Sequence, residues 1–288
     1  MHSQIGFLFI KGLKSVYSPP IKYAKKIRFK GAFSVSTQIG NNFKLYNNAF
    51  LVETNIFWLG IDNFKWENKT REIWCDLVKK SNCIFDVGAN VGIFSVQAKA
   101  NNANAKVVAF EPQPNIFDVL NKNNKINGFD IVCENKAVSN KNGTIPFYNH
   151  GPNTFSDNNT TSGSLNKNWR PEDQKSIDVE VTTLKAYVEQ NKIDKVDLIK
   201  IDVETLEYEV LEGFSDLLLS HKPIIILEIQ SEIIGNTIQS LFINGNYVFF
   251  SINENKGLVN VDVLGQEKDN NYLICPKSKA NLLNKFIQ

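Results

Sequence analysis

The stretch CIFDVGANVGIFS, residues 83–95, constrains the fold of this chain more than any other part of the sequence. An apolar run ends near Asp86, glycines follow at Gly88 and Gly92, and apolar residues then return at helical spacing. Glycine permits backbone conformations and close approaches that other residues resist. The stretch therefore predicts a buried strand, a tight turn at which the backbone comes close to a neighbour, and a helix.

The same alternation of strand and helix continues from about residue 69 to the end of the chain. Its predicted strands are apolar throughout, which is typical of a parallel sheet covered by helices on both faces. The sequence therefore predicts an α/β fold with a doubly wound, mostly parallel sheet. The last two strands, at 247–253 and 270–276, are joined by turn-like sequence. They are expected to form an antiparallel pair at the edge of the sheet.

Shorter segments give further predictions of structure. Residues 1–68 are predicted to be a basic segment and a small N-terminal cap, in which 43–60 is β-rich. Residues 130–139 are predicted to be a third strand, followed by a hairpin turn at 140–143. Residues 207–221 are predicted to be one helix, and the long polar stretch 150–176 is predicted to be a lid or binding loop.

Composition argues against several functional classes. The net charge of the 288 residues is +2, which does not indicate a nucleic-acid-binding protein. The four cysteines are scattered without metal-type spacing, which favours a reducing cytoplasm over a disulfide framework. No apolar run approaches the roughly 18–20 residues of a membrane span. No cluster of ligands predicts a metal ion.

Acidic residues end four of the predicted strands: Asp86, Glu111, Asp202 and Glu228. The carboxyl ends of parallel strands meet at one edge, where open α/β sheets bind their ligands. The glycine turn lacks the second glycine of Gly-x-Gly-x-x-Gly, and a carboxylate at its mouth repels a diphosphate. An acid at the end of the second strand suits ribose hydroxyls. The pattern favours a ligand with an ammonium group, a ribose and no phosphates, as in S-adenosylmethionine.

A family resemblance rests on six blocks in order: IFDVGANVGIFS, VVAFEPQP, ENKAVSNKNG, VTTLKAYV, DLIKIDVETLEYEVLEGF and PIIILEI. Over about residues 66–250 the chain resembles the FkbM family of S-adenosylmethionine-dependent methyltransferases. The resemblance implies a class I, Rossmann-like methyltransferase fold, with 69–288 as the methyltransferase domain and S-adenosyl-L-methionine as cofactor. It also implies O-methylation of a hydroxyl on a sugar, glycan or related small molecule.

The resemblance implies cofactor-binding roles for residues at the carboxyl edge and in the cap: Glu67, Asp86, Gly88, Asn90, Gly92, Glu111, Asn135, Ala137 and Asp202. The glycine turn would let the backbone pass under the cofactor. Asp86 and Glu67 would approach the methionine end, and Glu111 would hold the ribose. Residues 135–138 would flank the adenine, and Asp202 would lie near the sulfonium.

A hydroxyl acceptor benefits from a base within hydrogen-bond reach. Asp202 and Glu204 are the predicted catalytic residues because they leave a strand at the crevice. Glu228, His150 and Lys200 are the other candidates. One position departs from the family pattern Asp-x-Glu-Gly-x-Glu, because Thr205 stands where the family has glycine.

Two other functions remain open. A scaffold that binds S-adenosylmethionine but has lost turnover is motivated by Thr205. A nicotinamide-dependent dehydrogenase is the second alternative, and the missing Gly-x-Gly-x-x-Gly motif counts against it.

Residues 1–30 carry seven basic residues and no acidic one, so that the rest of the chain has a net charge of −5. The segment is interpreted as a solvated tail or a helix packed on the cap. A weak peripheral contact with the inner face of a membrane is the alternative, since apolar residues alternate with the basic ones. Nucleic acid is not an expected partner, because no binding fold accompanies the charge. The expected location is the cytoplasm.

Overall fold

The computed structural model describes residues 4–17, 19–24, 26–150, 163–169, 174–265 and 269–288. The helices are α1 (Gln4–Val16), α2 (Ile21–Ala24), α3 (Leu51–Leu59), α4 (Ile61–Phe64), α5 (Asn68–Val78), α6 (Ile93–Asn101), α7 (Pro114–Asn127), α8 (Leu184–Gln190), α9 (Glu207–Glu212), α10 (Ser215–His221) and α11 (Glu232–Ser240). The strands are β1 (Lys30–Val35), β2 (Phe43–Asn48), β3 (Cys83–Val87), β4 (Lys106–Phe110), β5 (Val132–Glu134), β6 (Ala137–Val138), β7 (Gly143–His150), β8 (Gly163–Ser164), β9 (Gln174–Thr182), β10 (Leu198–Ile201), β11 (Ile224–Glu228), β12 (Tyr247–Asn253), β13 (Gly257–Val261) and β14 (Asn271–Pro276). A 3₁₀ helix at Lys277–Leu283 follows the last strand.

The central sheet has the strand order β13-β12-β14-β11-β10-β3-β4-β5. The strands β11, β10, β3, β4 and β5 pair in parallel, and β14 runs antiparallel between β11 and β12. Helices cover both faces, so the predicted doubly wound, mostly parallel sheet with an antiparallel last strand is confirmed.

The predicted position of the last two strands at the sheet edge is wrong, although they do pair antiparallel. The connection between them contains β13, which pairs with β12 and takes the edge. Residues 272–276 of β14 are all buried, whereas β13 is partly exposed. A continuous apolar strand leaves less apolar surface exposed to water as an inner strand than as an edge strand, which explains the order.

The predicted third strand is present as β5 but ends at Glu134, and the predicted hairpin is wrong. The segment divides at Asn135, so that β5 joins the central sheet and β6 joins a second sheet of order β6-β9-β7-β8. Strand β7 pairs antiparallel with β9 rather than with β6. The nine-residue β9 offers a partner along the whole of β7, which the two-residue β6 cannot.

Two further local predictions need correction. The predicted helix at 207–221 is two helices separated by Gly213 and Phe214. Position 213 requires glycine, because a Cβ atom there would lie 2.3 Å from the carbonyl oxygen of Ser139. The β-rich segment 43–60 is a strand only as far as Asn48. After a turn at Ala49, with φ of 67°, the apolar residues form helix α3.

The sheet divides the interior into two hydrophobic clusters. Helices α5 to α7 pack on one face, and α8 to α11 on the other. Ile10, Phe29 and Leu45 of the N-terminal segment are buried in the same cluster as Trp74 of α5. The hairpin β1–β2 and α3 thus lie on the α5–α7 side of the sheet, while the domain boundary at 68/69 stays a prediction.

Among the described residues, no helix is both long enough and apolar enough to cross a membrane.

Candidate active site

The parallel strands bring the predicted acids to one edge. Asp86 on β3 lies opposite Lys200 on β10 in the strand register, and their side chains share the face on which the cap packs. Ile201 lies opposite Leu227 of β11, which places Glu228 one step beyond, beside Asp202. This register places the strand ends side by side, as the sequence prediction of a shared crevice requires.

The glycine turn approaches the neighbouring strands closely. The N–H groups of Gly88 and Ala89 both donate to the carbonyl oxygen of Phe110, at 3.0 and 2.9 Å. Gly88 has φ of +76°, and a Cβ atom there would lie 1.9 Å from the carbonyl oxygen of Asp202. Only glycine fits between the ends of β3 and β10 at this point.

Position 92 requires glycine for a different structural reason. Its φ is +85°, and a Cβ atom would lie 2.3 Å from Cδ1 of Leu120 on α7. Gly92 therefore lets α6 begin close against α7. It does not belong to the described residues that line the cavity next to the turn.

That cavity has a volume of about 300 Å³, within the range of small-molecule sites. Eight of the predicted site residues line it: Glu67, Asp86, Gly88, Asn90, Glu111, Ala137, Asp202 and Glu204. The alternative candidates Lys200 and Glu228 line it as well. The side chain of His150, and most of the predicted loop at 150–176, lie outside the described residues. Gly163 and Leu165 from the described part of that loop reach the cavity wall.

Glu111 is a buried acid held by backbone donors. Its Oε2 accepts from the N–H of Asn90 at 2.9 Å, and its Oε1 from the N–H of Gln113 at 2.8 Å. Burial raises the pKa of Glu111 to about 7 against these two hydrogen bonds. Asn135 is not among the described lining residues; its Nδ2 donates to the carbonyl oxygens of Glu111 and Pro112. Asn135 thus fixes the end of β4.

A buried lysine stands among the acids. Lys200 Nζ lies 2.9 Å from Asp202 Oδ2 and 4.5 Å from the centre of the Phe94 ring. Burial opposes its charge, but Asp202, Glu67 and Asp86 together raise the pKa of Lys200 above its usual value. Burial raises the pKa of Asp86, whose Oδ2 accepts from the hydroxyl of Ser95, while Lys200 opposes that rise. Lys200 therefore compensates several carboxylates at once.

The cap contributes two further acids to the cavity. Burial raises the pKa of Glu67 to about 7, with Lys200 opposing and Asp202 adding to the rise. Burial also raises the pKa of Glu53, on α3, to about 7. The sequence reasoning missed Glu53. Its signal was an acid inside an otherwise apolar run, in a segment interpreted as β-rich.

The turn after β10 is strained and closely held. Glu204 and Thr205 have φ of 55° and 79°, in the region that favours glycine. Asn166 Nδ2 donates to Thr205 Oγ1 at 2.8 Å, and Ser164 Oγ donates to the carbonyl oxygen of Glu204 at 2.8 Å. These bonds join the second sheet to the turn. Thr205 lacks the conformational freedom of the glycine in the family pattern, but its side chain accepts a hydrogen bond that glycine cannot.

The described lining residues include seven carboxylic acids and two lysines. The acids are Glu53, Glu67, Asp86, Glu111, Asp202, Glu204 and Glu228. Such a surplus of carboxyl groups in a partly enclosed cavity suits a ligand with positive charge and hydroxyl donors. The chemistry of the donor set fits the sulfonium, ammonium and ribose of S-adenosylmethionine.

Comparison with known proteins gives a family match. The family model described as "Methyltransferase FkbM domain" matches residues 86–249, which include the glycine turn and the acids at the ends of β4, β10 and β11.

Three curated relatives match about half of the chain. Methyltransferase sdnD of Sordaria araneosa is 31% identical, over 46% of this chain and 60% of that protein. The hexuronic acid methyltransferase AglP of Haloferax volcanii is 26% identical, over 56% and 61%. The 31-O-demethyl-FK506 methyltransferase FkbM of Streptomyces tacrolimicus is 28% identical, over 48% and 62%. The chain thus spans about three fifths of the length of each relative.

Proposed function

This chain belongs to the methyltransferase FkbM domain family, and we propose that it transfers a methyl group from S-adenosylmethionine to a hydroxyl on a sugar, glycan or related small molecule. The family match confirms the resemblance predicted from the sequence blocks and, with it, S-adenosylmethionine as cofactor. The observation that carries the proposal is the set of carboxyl groups around the glycine turn. The hydroxyl acceptor is supported by two relatives, named for a hexuronic acid and for an O-demethyl compound.

S-adenosylmethionine supplies a methyl group on a positively charged sulfur, which makes a good leaving group. The protein's residues bind and orient. Glu111 offers its carboxylate to the ribose hydroxyls, and Asp86 lies at the turn beside the methionine end. The apolar side chains of Phe94 and Val138 line the same cavity and help to exclude water. Orientation and exclusion of water are the main contributions expected from the protein.

The acceptor hydroxyl needs a group that takes its proton as the new bond forms. We assign this role to Asp202 or Glu204, which lie where β10 leaves the sheet and which both line the cavity. Lys200 holds the Asp202 carboxylate through its Nζ. Glu228 is the alternative base, because it lies at the end of β11 on the same wall.

Titration calorimetry with S-adenosylhomocysteine tests the proposal. The protein is expected to bind, and Glu111→Ala is expected to bind about 10- to 100-fold more weakly, because hydrogen bonds to a charged group contribute about 1.5–3 kcal/mol. Glu134→Ala is the matched control, since Glu134 ends the next strand and bonds the Tyr187 hydroxyl outside the cavity. Absence of binding by the folded protein, or unchanged binding by Glu111→Ala, contradicts the proposal.

A second candidate is a scaffold that binds the cofactor without turnover. Thr205 favours it, because its side chain and its bond to Asn166 occupy the turn beside Asp202 and Glu204. This candidate differs in one measurable respect: S-adenosylhomocysteine would not accumulate with any acceptor. Family membership leaves no support for the nicotinamide-dependent dehydrogenase.

Substitutions at Thr205 separate strain from bonding. Thr205→Ala keeps a side chain at positive φ but loses the bond from Asn166, so we expect a loss of about 1 kcal/mol in unfolding free energy. Thr205→Gly loses the same bond but relieves about 1 kcal/mol of backbone strain. The glycine variant should therefore be about 1 kcal/mol more stable than the alanine variant in urea unfolding. Equal stabilities would show that the turn is unstrained. Turnover gained only by Thr205→Gly would support the scaffold.

We further propose a cytoplasmic location with weak contact between residues 1–30 and an anionic membrane surface. Helix α1 leaves Leu8 and Phe9 66% and 63% exposed, next to the exposed Lys11. The segment carries no acid to repel anionic lipid. Flotation with phosphatidylglycerol vesicles should recover the protein, and Phe9→Ser should reduce recovery. Equal recovery with phosphatidylcholine vesicles contradicts the proposal.

A further inference from the structure

Glu53 is the described acid of the cavity that has neither a cation nor a hydrogen-bond donor from another residue beside it. It is 1% exposed, lines the cavity, and its Oε1 accepts no hydrogen bond from a described residue. Burial is the largest influence on the pKa of Glu53 and raises it, a hydrogen bond from its own backbone opposes the rise, and no described lysine or arginine offsets its charge. Burying an uncompensated carboxylate is costly. The cost is removed when a cationic ligand group enters the cavity.

The other cavity acids each have a described donor or cation. Glu111 accepts two backbone N–H groups, and Asp86 accepts from Ser95. Asp202 bonds Lys200. Glu67 Oε2 also accepts no hydrogen bond from a described residue, but the charge of Lys200 acts on Glu67. Among the described lining acids, Glu53 is thus the one with neither a cation nor a donor from another residue.

The first turn of α3 holds Glu53 in place. Asn47 Oδ1 accepts from the N–H of Phe50 at 3.0 Å, and Asn47 Nδ2 donates to Thr54 Oγ1 at 2.9 Å. Thr54 Oγ1 also donates to the carbonyl oxygen of Phe50 at 2.6 Å. These buried hydrogen bonds hold residues that precede and follow Glu53 in the sequence. Its backbone is therefore fixed before any ligand binds.

A second set of bonds connects this region to the glycine turn. The N–H of Tyr46, on β2 just before α3, donates to Asn123 Oδ1 at 2.6 Å. Asn123 Nδ2 in turn donates to the carbonyl oxygen of Val91 at 2.7 Å. Val91 and Glu53 both line the cavity. The cap is thus fastened to the same turn that is proposed to hold the amino-acid end of the cofactor.

We propose that Glu53 binds the α-ammonium group of the methionine moiety of S-adenosylmethionine. The inference rests on the proposed function. An ammonium group provides the positive charge and the hydrogen-bond donors that Oε1 lacks. The ribose hydroxyls already have Glu111, and the acceptor hydroxyl has Asp202 and Glu204. The cap therefore contributes directly to the cofactor site.

The experiment compares three ligands by titration calorimetry: S-adenosylhomocysteine, its analogue without the α-amino group, and 5′-methylthioadenosine, which lacks the amino-acid moiety. Glu53→Gln should weaken binding of S-adenosylhomocysteine at least tenfold. It should leave the affinities for the deaminated analogue and for 5′-methylthioadenosine within about twofold, because neither carries the ammonium group. Glu72→Gln, which removes an acid of α5 paired with Lys69, should change none of the three affinities.

Each outcome decides one point. Unchanged binding of S-adenosylhomocysteine by Glu53→Gln, or an equal loss for all three ligands, overturns the inference while the proposed function stands. Failure of the unmodified protein to bind S-adenosylhomocysteine overturns the proposed function and the inference with it. The melting temperature of ligand-free Glu53→Gln should not fall, since the substitution removes a buried charge. This measurement excludes unfolding as the cause of weaker binding.

Discussion

Replacing Gly88 with alanine is expected to lower the free energy of unfolding by about 3 kcal/mol or more and to abolish detectable binding of S-adenosylhomocysteine. The added Cβ atom would lie 1.9 Å from the carbonyl oxygen of Asp202 and 2.8 Å from its carbonyl carbon. Both are backbone atoms, so no side-chain rotation relieves the clash. Either β3 or β10 must move, and that movement separates Asp86 from Lys200 at the cavity wall.

The matched control is Gly128→Ala. Gly128 has φ of +68°, close to that of Gly88, but nothing lies within 4 Å of its added Cβ atom. Alanine at Gly128 therefore costs only the strain of positive φ, about 1 kcal/mol. Urea unfolding of both variants isolates the clash as the difference between them. If the two variants lose equal stability, the close approach of β3 and β10 is not what requires glycine at this position.

The residues at the strand ends were predictable from the sequence because their signals are local. A continuous apolar run predicts a buried parallel strand, and an acid after it then falls at the carboxyl edge. Asp86, Glu111, Asp202 and Glu228 follow this rule, and all line the cavity. No knowledge of the neighbouring strand was required.

Other features depend on contacts between distant parts of the chain. The sequence indicates that Gly88 occupies a turn, but its closest neighbour is Asp202, more than a hundred residues away. Glu53 was missed because α3 owes its burial to packing between β2 and the rest of the cap. Asn135 was predicted beside the adenine from its place in a motif, but the motif does not indicate that its amide holds the end of β4. Local patterns carry none of these tertiary contacts.

Replacing Lys200 with methionine is expected to cost about 3–5 kcal/mol of unfolding free energy at pH 8, because it leaves buried carboxylates without their cation. Methionine keeps most of the apolar length of the side chain but lacks the Nζ atom that lies over the Phe94 ring. Lys136→Met is the control: Lys136 also lines the cavity, but it pairs with the exposed Glu180. Its loss should cost less than about 1 kcal/mol.

The pH dependence identifies charge as the cause. Lys200 opposes the rise in the pKa of Asp86 and of Glu67, which reaches about 7, so its removal raises both pKa values further. An acid whose folded pKa is raised contributes stability below its unfolded pKa and loses that stability as the pH rises through the folded pKa. The cost of Lys200→Met should therefore be smaller at pH 6 than at pH 8, while that of Lys136→Met stays constant. A cost independent of pH would mean that Lys200 stabilises the protein through the contact of its Nζ with the Phe94 ring, and its place among the acids would then contribute nothing to stability.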